Sequence, residues 1–311
     1  MIKRTVYFGN PAYLSLRENQ MVIKLPQVER SDMTDALKKE AERTLPIEDL
    51  GIVLLDNRQI TMTAALVEAL QESNCAVVTC NDKHMPVGLM LPMDCHTLQS
   101  VRYQRQISAS QPLRKQLWQQ TVRAKIVNQR AVLEWATKEK HKCMGAWAED
   151  VRSGDSENME ARASAYYWRH IFPSIDGFVR GRDGEVPNDL LNYGYAIVRA
   201  IVARSLVGSG LLPTIGLFHH NKYNAYCLAD DIMEPYRPYV DKKVVELVWA
   251  YGAGVGLTKE IKAAFLGLAV EDTLIDGHQS PLAIAATTTS ASLFECFDGQ
   301  RRQILYPAIE L

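Results

Sequence analysis

The sequence predicts an α+β protein in two parts: a β-rich, sandwich-like N-terminal domain over residues 1–92, a linker at 93–100, and a larger all-α domain over 101–311. Three observations carry this reading. Apolar residues alternate with period two as far as Pro92 and recur with period 3.6 beyond it. With 311 residues and 47% hydrophobic content, the chain can bury about three-quarters of its unfolded surface, more than one core usually absorbs. Six scattered cysteines with no CxxC pair fit reduced thiols in a cytoplasmic protein, with neither disulfides nor structural zinc. No run of 18 apolar residues and no charged-then-apolar leader at Met1 occurs, so neither membrane association nor secretion is expected.

The N-terminal elements follow from local pattern. Between Lys3 and Leu25, TVYF, AYLSL and MVIKL alternate around Gly9, Asn10 and Pro11 and then around Glu18 and Asn19, which predicts two or three strands with a hairpin. Residues 29–44 are polar with few apolar anchors and read as a surface insertion or mobile loop whose charge serves solvation. Ile52–Leu55 is a short strand, and Thr61 is an N-cap for the helix that follows. Cys75–Cys80 and Val87–Leu91 add strands on either side of an NDKHMP turn.

Beyond Pro92, Leu117, Trp118, Val122, Ile126 and Leu133 mark the apolar stripe of a long helix. Ser156 or Asn158 caps a helix that carries Glu160 in its first turn. Residues 173–187 form a glycine-rich loop with Arg180 and Arg182 exposed on it. Asn188 or Asp189 caps a packed central helix that ends near Gly208, and Thr258 and Pro281 start two more.

The net charge of −1, from 35 basic and 36 acidic residues, by itself argues against a nucleic-acid partner. Its distribution argues otherwise. From Val101 to Lys142 ten basic residues face two acidic ones, +8 in that segment, which leaves −9 for the rest of the chain. This is the pattern of a phosphate-contacting surface, or else of a merely basic amphipathic helix. Arg123, Lys125, Arg180 and Arg182 are the candidate phosphate contacts.

Residues 216–238, GLFHHNKYNAYCLADDIMEPYRP, gather two imidazoles and three carboxylates. That donor mixture suits a divalent ion such as Mn²⁺ better than Ca²⁺. On a helix, Glu234 shares a face with Asp231 or Asp230, and Pro235 marks a kink or boundary there. Such acids are also commonly a solvated helix face or partners for a nearby Arg237. Their interleaving with Leu228, Ile232 and Met233 favours burial, and a buried carboxylate needs compensation.

Four stretches in order, QLWQQTVRAKIVNQ (116–129), NMEARASAYYW (158–168), NDLLNYGYAIVRA (188–200) and the 216–238 segment, resemble the CRISPR-associated spacer integrases, the Cas1 family, and most closely its type II members. The resemblance implies a metal-dependent DNA endonuclease and integrase that joins 3′-hydroxyl ends of short foreign DNA to a repeat array during CRISPR adaptation. It implies an all-α catalytic domain, Mg²⁺ or Mn²⁺ as cofactor, double-stranded DNA and the small Cas2 protein as partners, and a homodimer, and it leaves open whether a type II effector complex joins them. Carried over by motif, the metal-binding and catalytic residues fall on Glu160, His219 and Glu234, with Asp231 and His220 as orienting neighbours. The doubled histidine leaves open which ring coordinates. A nuclease acting on branched DNA and a non-catalytic DNA-binding scaffold are the alternatives.

Overall fold

In the computed structural model, which describes residues 3–181 and 186–311, the chain divides between Cys95 and His96 into two units. The first begins with β1 (Arg4–Phe8), β2 (Tyr13–Arg17) and β3 (Gln20–Lys24). Arg17 pairs with Gln20, so Glu18 and Asn19 alone make the turn, both at positive φ as a tight hairpin of matching twist requires. The stretch expected to be an insertion is ordered instead: α1 (Pro26–Glu29), α2 (Asp35–Glu40) and β4 (Arg43–Pro46), the last antiparallel to β3. Its charge pairs rather than only solvating, since Glu42 lies 2.7 Å from Arg17 and 3.1 Å from Lys24.

β5 (Leu50–Leu55) is buried along nearly its whole length and lies between β1 and β7 (Ala76–Cys80), parallel to both, the setting in which an unbroken apolar run belongs. β6 (Thr61–Met62) takes up the threonine expected as a cap; Thr63 caps α3 (Ala64–Glu72) by accepting from the Leu66 amide. β8 (Pro86–Met90) closes a sheet of order β1-β5-β7-β8 beside a second of order β4-β3-β2-β6. Leu14 and Met21 from one sheet, Phe8, Leu50, Val53 and Val77 from the other, and Leu66 and Leu70 of α3 share one core. That shared core is what makes the unit sandwich-like.

The second unit is helical. It runs through α4 (Gln99–Ser108), α5 (Gln111–Thr137), α6 (Lys142–Asp150), α7 (Met159–His170), α8 (Asn188–Gly208), α9 (Cys227–Met233), α10 (Arg237–Tyr251) and α11 (Lys259–Leu266). A hairpin of β9 (Asp272–Ile275) and β10 (His278–Pro281) precedes α12 (Leu282–Phe297), so the helical period breaks once. α5 spans 27 residues, about 40 Å, and is the post against which α6, α7, α9 and α10 pack. α8 is long and apolar enough to span a bilayer by composition, yet 78% of that window is buried inside the structure, which identifies a core helix. Near the end of the chain, Asn128 of α5 donates to the Pro235 and Pro307 carbonyls at 2.8 and 2.9 Å and accepts from the Ile309 amide at 3.1 Å.

Candidate active site

Glu160 enters at the first turn of α7, and the chain fixes that turn with a carboxylate. Asp155 accepts from the Met159 amide at 2.8 Å and from the Glu160 amide at 3.0 Å, while Asn158 sits at positive φ without capping by its side chain. The cap is therefore Asp155, three residues before Asn158; its acceptance of two amide protons is the ordinary satisfaction of helix-start donors.

Glu234 is placed by the proline that follows it. α9 ends at Met233, and Glu234–Tyr236 is a single 3₁₀ turn before α10 resumes the α-helix. Its carboxylate is buried, with Oε1 2.9 Å from Arg237 Nε and Oε2 2.6 Å from Lys125 Nζ. The approach to Oε2 falls outside hydrogen-bonding angles, so that oxygen is a buried acceptor with a charge beside it and no hydrogen bond. Burial alone pushes the Glu234 carboxyl up; Arg237 and Lys125 together outweigh it and hold the group down at about 2.

Lys125 joins the two glutamates. Its ammonium is also 2.7 Å from Glu160 Oε1, and only 8% of the residue is exposed. Burial depresses this lysine, but Glu234 and Glu160 outweigh burial and raise it, so it stays charged. The expected phosphate contact is thus an internal ion-pair partner. The sequence held the signal: position 125 lies three after Val122 and seven after Trp118, on the buried stripe of α5.

The imidazole of His219 is held from behind. Asp231, fully buried, accepts from the Leu217 and Phe218 amides at 2.7 and 2.9 Å and makes a short contact with His219 Nδ1. A Cβ at Gly216 would collide with the His219 carbonyl and come 2.8 Å from Asp231 Oδ2, so this turn closes only around glycine. Phe218 stacks flat on Trp118 at 4.7 Å and 3°, and the His219 ring stands edge-on to both. The hydrogen bond to Asp231 raises the His219 pKa first, with Glu234 and Glu160 adding smaller pulls, which puts both glutamates within electrostatic reach of the ring. His220 is exposed. Asp230 is drawn away from the site, 2.6 Å from Arg199 Nε and 2.7 Å from Asn224 Nδ2.

The remaining candidates separate. Arg123 is exposed on α5. Arg180 is half-buried and bonded to Asn188 at 3.0 Å and Asn192 at 2.6 Å, with its guanidinium near the rings of Trp168 and Tyr195, so it braces the start of α8 instead of presenting a free charge. Arg182 lies outside the described residues.

Among the described residues no three His, Cys, Asp or Glu side chains stand as a ready metal cluster. Lys125 occupies the space between the two carboxylates. The donor set nevertheless fits a divalent ion. Glu234 Oε2 is a buried oxygen without a hydrogen bond, and a carboxylate behind Nδ1 leaves Nε2 of His219 as the lone-pair nitrogen, the usual arrangement behind a ligating imidazole. A cavity of about 190 Å³ lined by Tyr239, Lys242, Glu271 and residues 308–311 shares no residue with this set.

Residues 6–251 match the family described as CRISPR associated protein Cas1. The chain is 34% identical, over 99% of its own length and 97% of the other, to the CRISPR-associated endonuclease Cas1 of Neisseria meningitidis serogroup C. It is 29% identical over 70% of its length to a CRISPR-associated endonuclease Cas1 of Pyrobaculum aerophilum, covering 78% of that protein. Among solved structures it is similar in fold to a casposase bound to integration product (TM-score 0.76, 18% identity, 98% of this chain and 92% of that one). It is also similar to a Cas1 protein from Thermotoga maritima (TM-score 0.74, 16% identity, 99% and 100%) and to a chain of a Cas6-RT-Cas1–Cas2 complex (TM-score 0.72, 17% identity, 97% and 35%).

Proposed function

This chain belongs to the CRISPR-associated Cas1 family, and from that premise we propose that it is the endonuclease-integrase of CRISPR adaptation, joining 3′-hydroxyl ends of short foreign DNA to a repeat with the help of a divalent metal ion. One observation carries the reading: Glu160 from α7 and Glu234 from the α9–α10 turn converge on a single cationic position beside an imidazole braced by Asp231. Glu160, Glu234 and His219 Nε2 would hold Mg²⁺ or Mn²⁺. The ion would supply Lewis acidity at a phosphodiester and stabilise charge that develops there.

The chain's own residues do the rest. Asp231 fixes the His219 ring and its tautomer, and Arg237 fixes Oε1 of Glu234. Asp155 sets the helix turn from which Glu160 projects. Arg123 contacts DNA phosphate. The reading extends to a homodimer that works with the small Cas2 protein; the similarity to a chain of a Cas1–Cas2 assembly supports the Cas2 part.

Glu160→Gln and Glu234→Gln test it. With a 3′-hydroxyl DNA fragment, a repeat duplex and Mn²⁺, each variant should lose joined product while gel-shift affinity for DNA stays within a few-fold of wild type. Undiminished joining by both variants removes the reading. Free 5′-phosphate ends without joined strands, in the wild type, would favour a branched-DNA nuclease.

A further inference from the structure

Lys125 is the only basic side chain among the buried residues of α5, and its place needs a reason. Two carboxylates from separate elements, both largely withdrawn from water, repel one another unless a cation stands between them. Arg237 occupies Oε1 of Glu234, which leaves Oε2 as the edge turned towards Lys125 and, through it, Glu160. The ammonium fills that position at 2.6 and 2.7 Å, donating a hydrogen bond to Glu160 while its approach to Glu234 lacks hydrogen-bonding angles. A compact charge on a flexible four-carbon stem can leave such a position; a planar guanidinium held by several bonds cannot do so as readily.

We propose that Lys125 is an internal counter-cation: it keeps Glu160 and Glu234 converged while no metal is bound, and it exchanges with the divalent ion when the site loads. This rests on the reading that the two glutamates hold the ion. The same two oxygens cannot serve a divalent ion and the ammonium at contact distance, because like charges so placed repel strongly. Lys125 is thus a positioning residue that lowers metal affinity in return for a preformed carboxylate pair. His219, held by Asp231 and not by Lys125, needs no rearrangement in the exchange.

The exchange and a purely structural ion pair give opposite signs. If Lys125 only braces the fold, its removal loosens the ligands and weakens metal binding. If it competes, removal strengthens binding. The test uses Lys125→Met and Lys125→Gln, with Mn²⁺ alone and no DNA, by titration calorimetry and thermal unfolding. The expected result is a lower metal-free Tm in both variants, Mn²⁺ affinity tighter by on the order of tenfold because the ion no longer displaces a bound charge, and a larger Mn²⁺-induced rise in Tm than in wild type. Mn²⁺ affinity equal to or weaker than that of wild type overturns the proposal.

Should both variants fail to fold, the wild-type protein carries the test. With lysine labelled at ¹³Cε, the Lys125 resonance should move with Mg²⁺ along the binding isotherm, and an unmoved resonance at saturation overturns the exchange. Glu160→Gln separates the two readings. If it abolishes Mn²⁺ binding while the Lys125 variants bind no more tightly than wild type, only the exchange falls. If wild type binds no Mn²⁺, the glutamates are not the metal site and both fall.

Discussion

At the scale of single residues, adjacent acids have unequal duties. Asp231 is fully buried and receives two backbone amides and an imidazole, whereas the side chain of Asp230 is 13% exposed and is shared between Asn224 and Arg199, whose own side chain is 42% exposed. Asp231→Ala leaves the Leu217 and Phe218 amides without an acceptor and should cost about 3 kcal/mol, read as a fall in the urea midpoint. Asp230→Ala should cost under about 1 kcal/mol, because a partly solvated ion pair contributes little. Equal losses would contradict this division. Sequence spacing lets Glu234 share a face with either aspartate but does not say which of the two turns inward. That depended on Gly216 folding the His219 loop back over α9. For Lys125 the two signals conflict: its charge suits a phosphate contact, while its helical position puts it on the buried side of α5, and the position wins.

At the scale of elements, one buried carboxylate ties three helices. Asp241 of α10 accepts from Tyr167 of α7 at 3.0 Å and from Tyr195 of α8 through a short contact, with Arg180 and Arg237 nearby. Burial raises its pKa to about 6, against the lowering pull of both tyrosines and both arginines. A folded-state value above the unfolded value of about 4 means that the contribution is complete below about pH 4 and is lost as pH rises towards 6. Relative to Asp241→Asn, which does not titrate, wild type should lose about 2–3 kcal/mol of unfolding free energy between pH 4 and pH 6, measured by urea denaturation at each pH. A difference that stays constant across that range would rule the shift out. Long helices were legible in the sequence: α5 stands where its apolar stripe puts it, α8 runs from Asn188 to Gly208, and α12 follows Pro281. The β9–β10 hairpin was not anticipated, although its Asp276-Gly277 turn carries the same positive-φ signature as the recognised Glu18-Asn19 turn. Its strands, four residues each, are too short to show a period of their own.

At the scale of the whole molecule, the basic excess of residues 101–142 is smaller in effect than in count. Arg105 pairs with Asp298, Arg130 and Lys140 share Glu134, Lys125 is internal, and Arg102 and Arg114 bond to backbone carbonyls. Lys115, Arg123, Lys138 and Lys142 remain exposed, with no carboxylate partner among the described residues. DNA affinity should accordingly fall with salt more gently than ten phosphate contacts would require. Arg123→Ala should reduce the slope of log affinity against log salt by about 1, by filter binding across a salt series. An unchanged slope would take Arg123 out of the interface. Fold class was legible because hydrophobic period reports burial directly. Electrostatic surface was less legible, since a sequence counts charges without showing which of them are already spent on one another.

The flat stack of Phe218 on Trp118 has a practical corollary. The indole is sealed beneath a phenyl ring that is itself 47% exposed, on the loop that carries His219. Anything that peels the phenyl ring away, a nucleobase wedging in above all, uncovers a fluorophore, so the emission of Trp118 should act as a built-in gauge of when this loop is engaged. With the other four tryptophans replaced by phenylalanine, quenching or a red shift on adding a DNA end would register that engagement, and an unaltered spectrum at saturating DNA would show the stack stays shut.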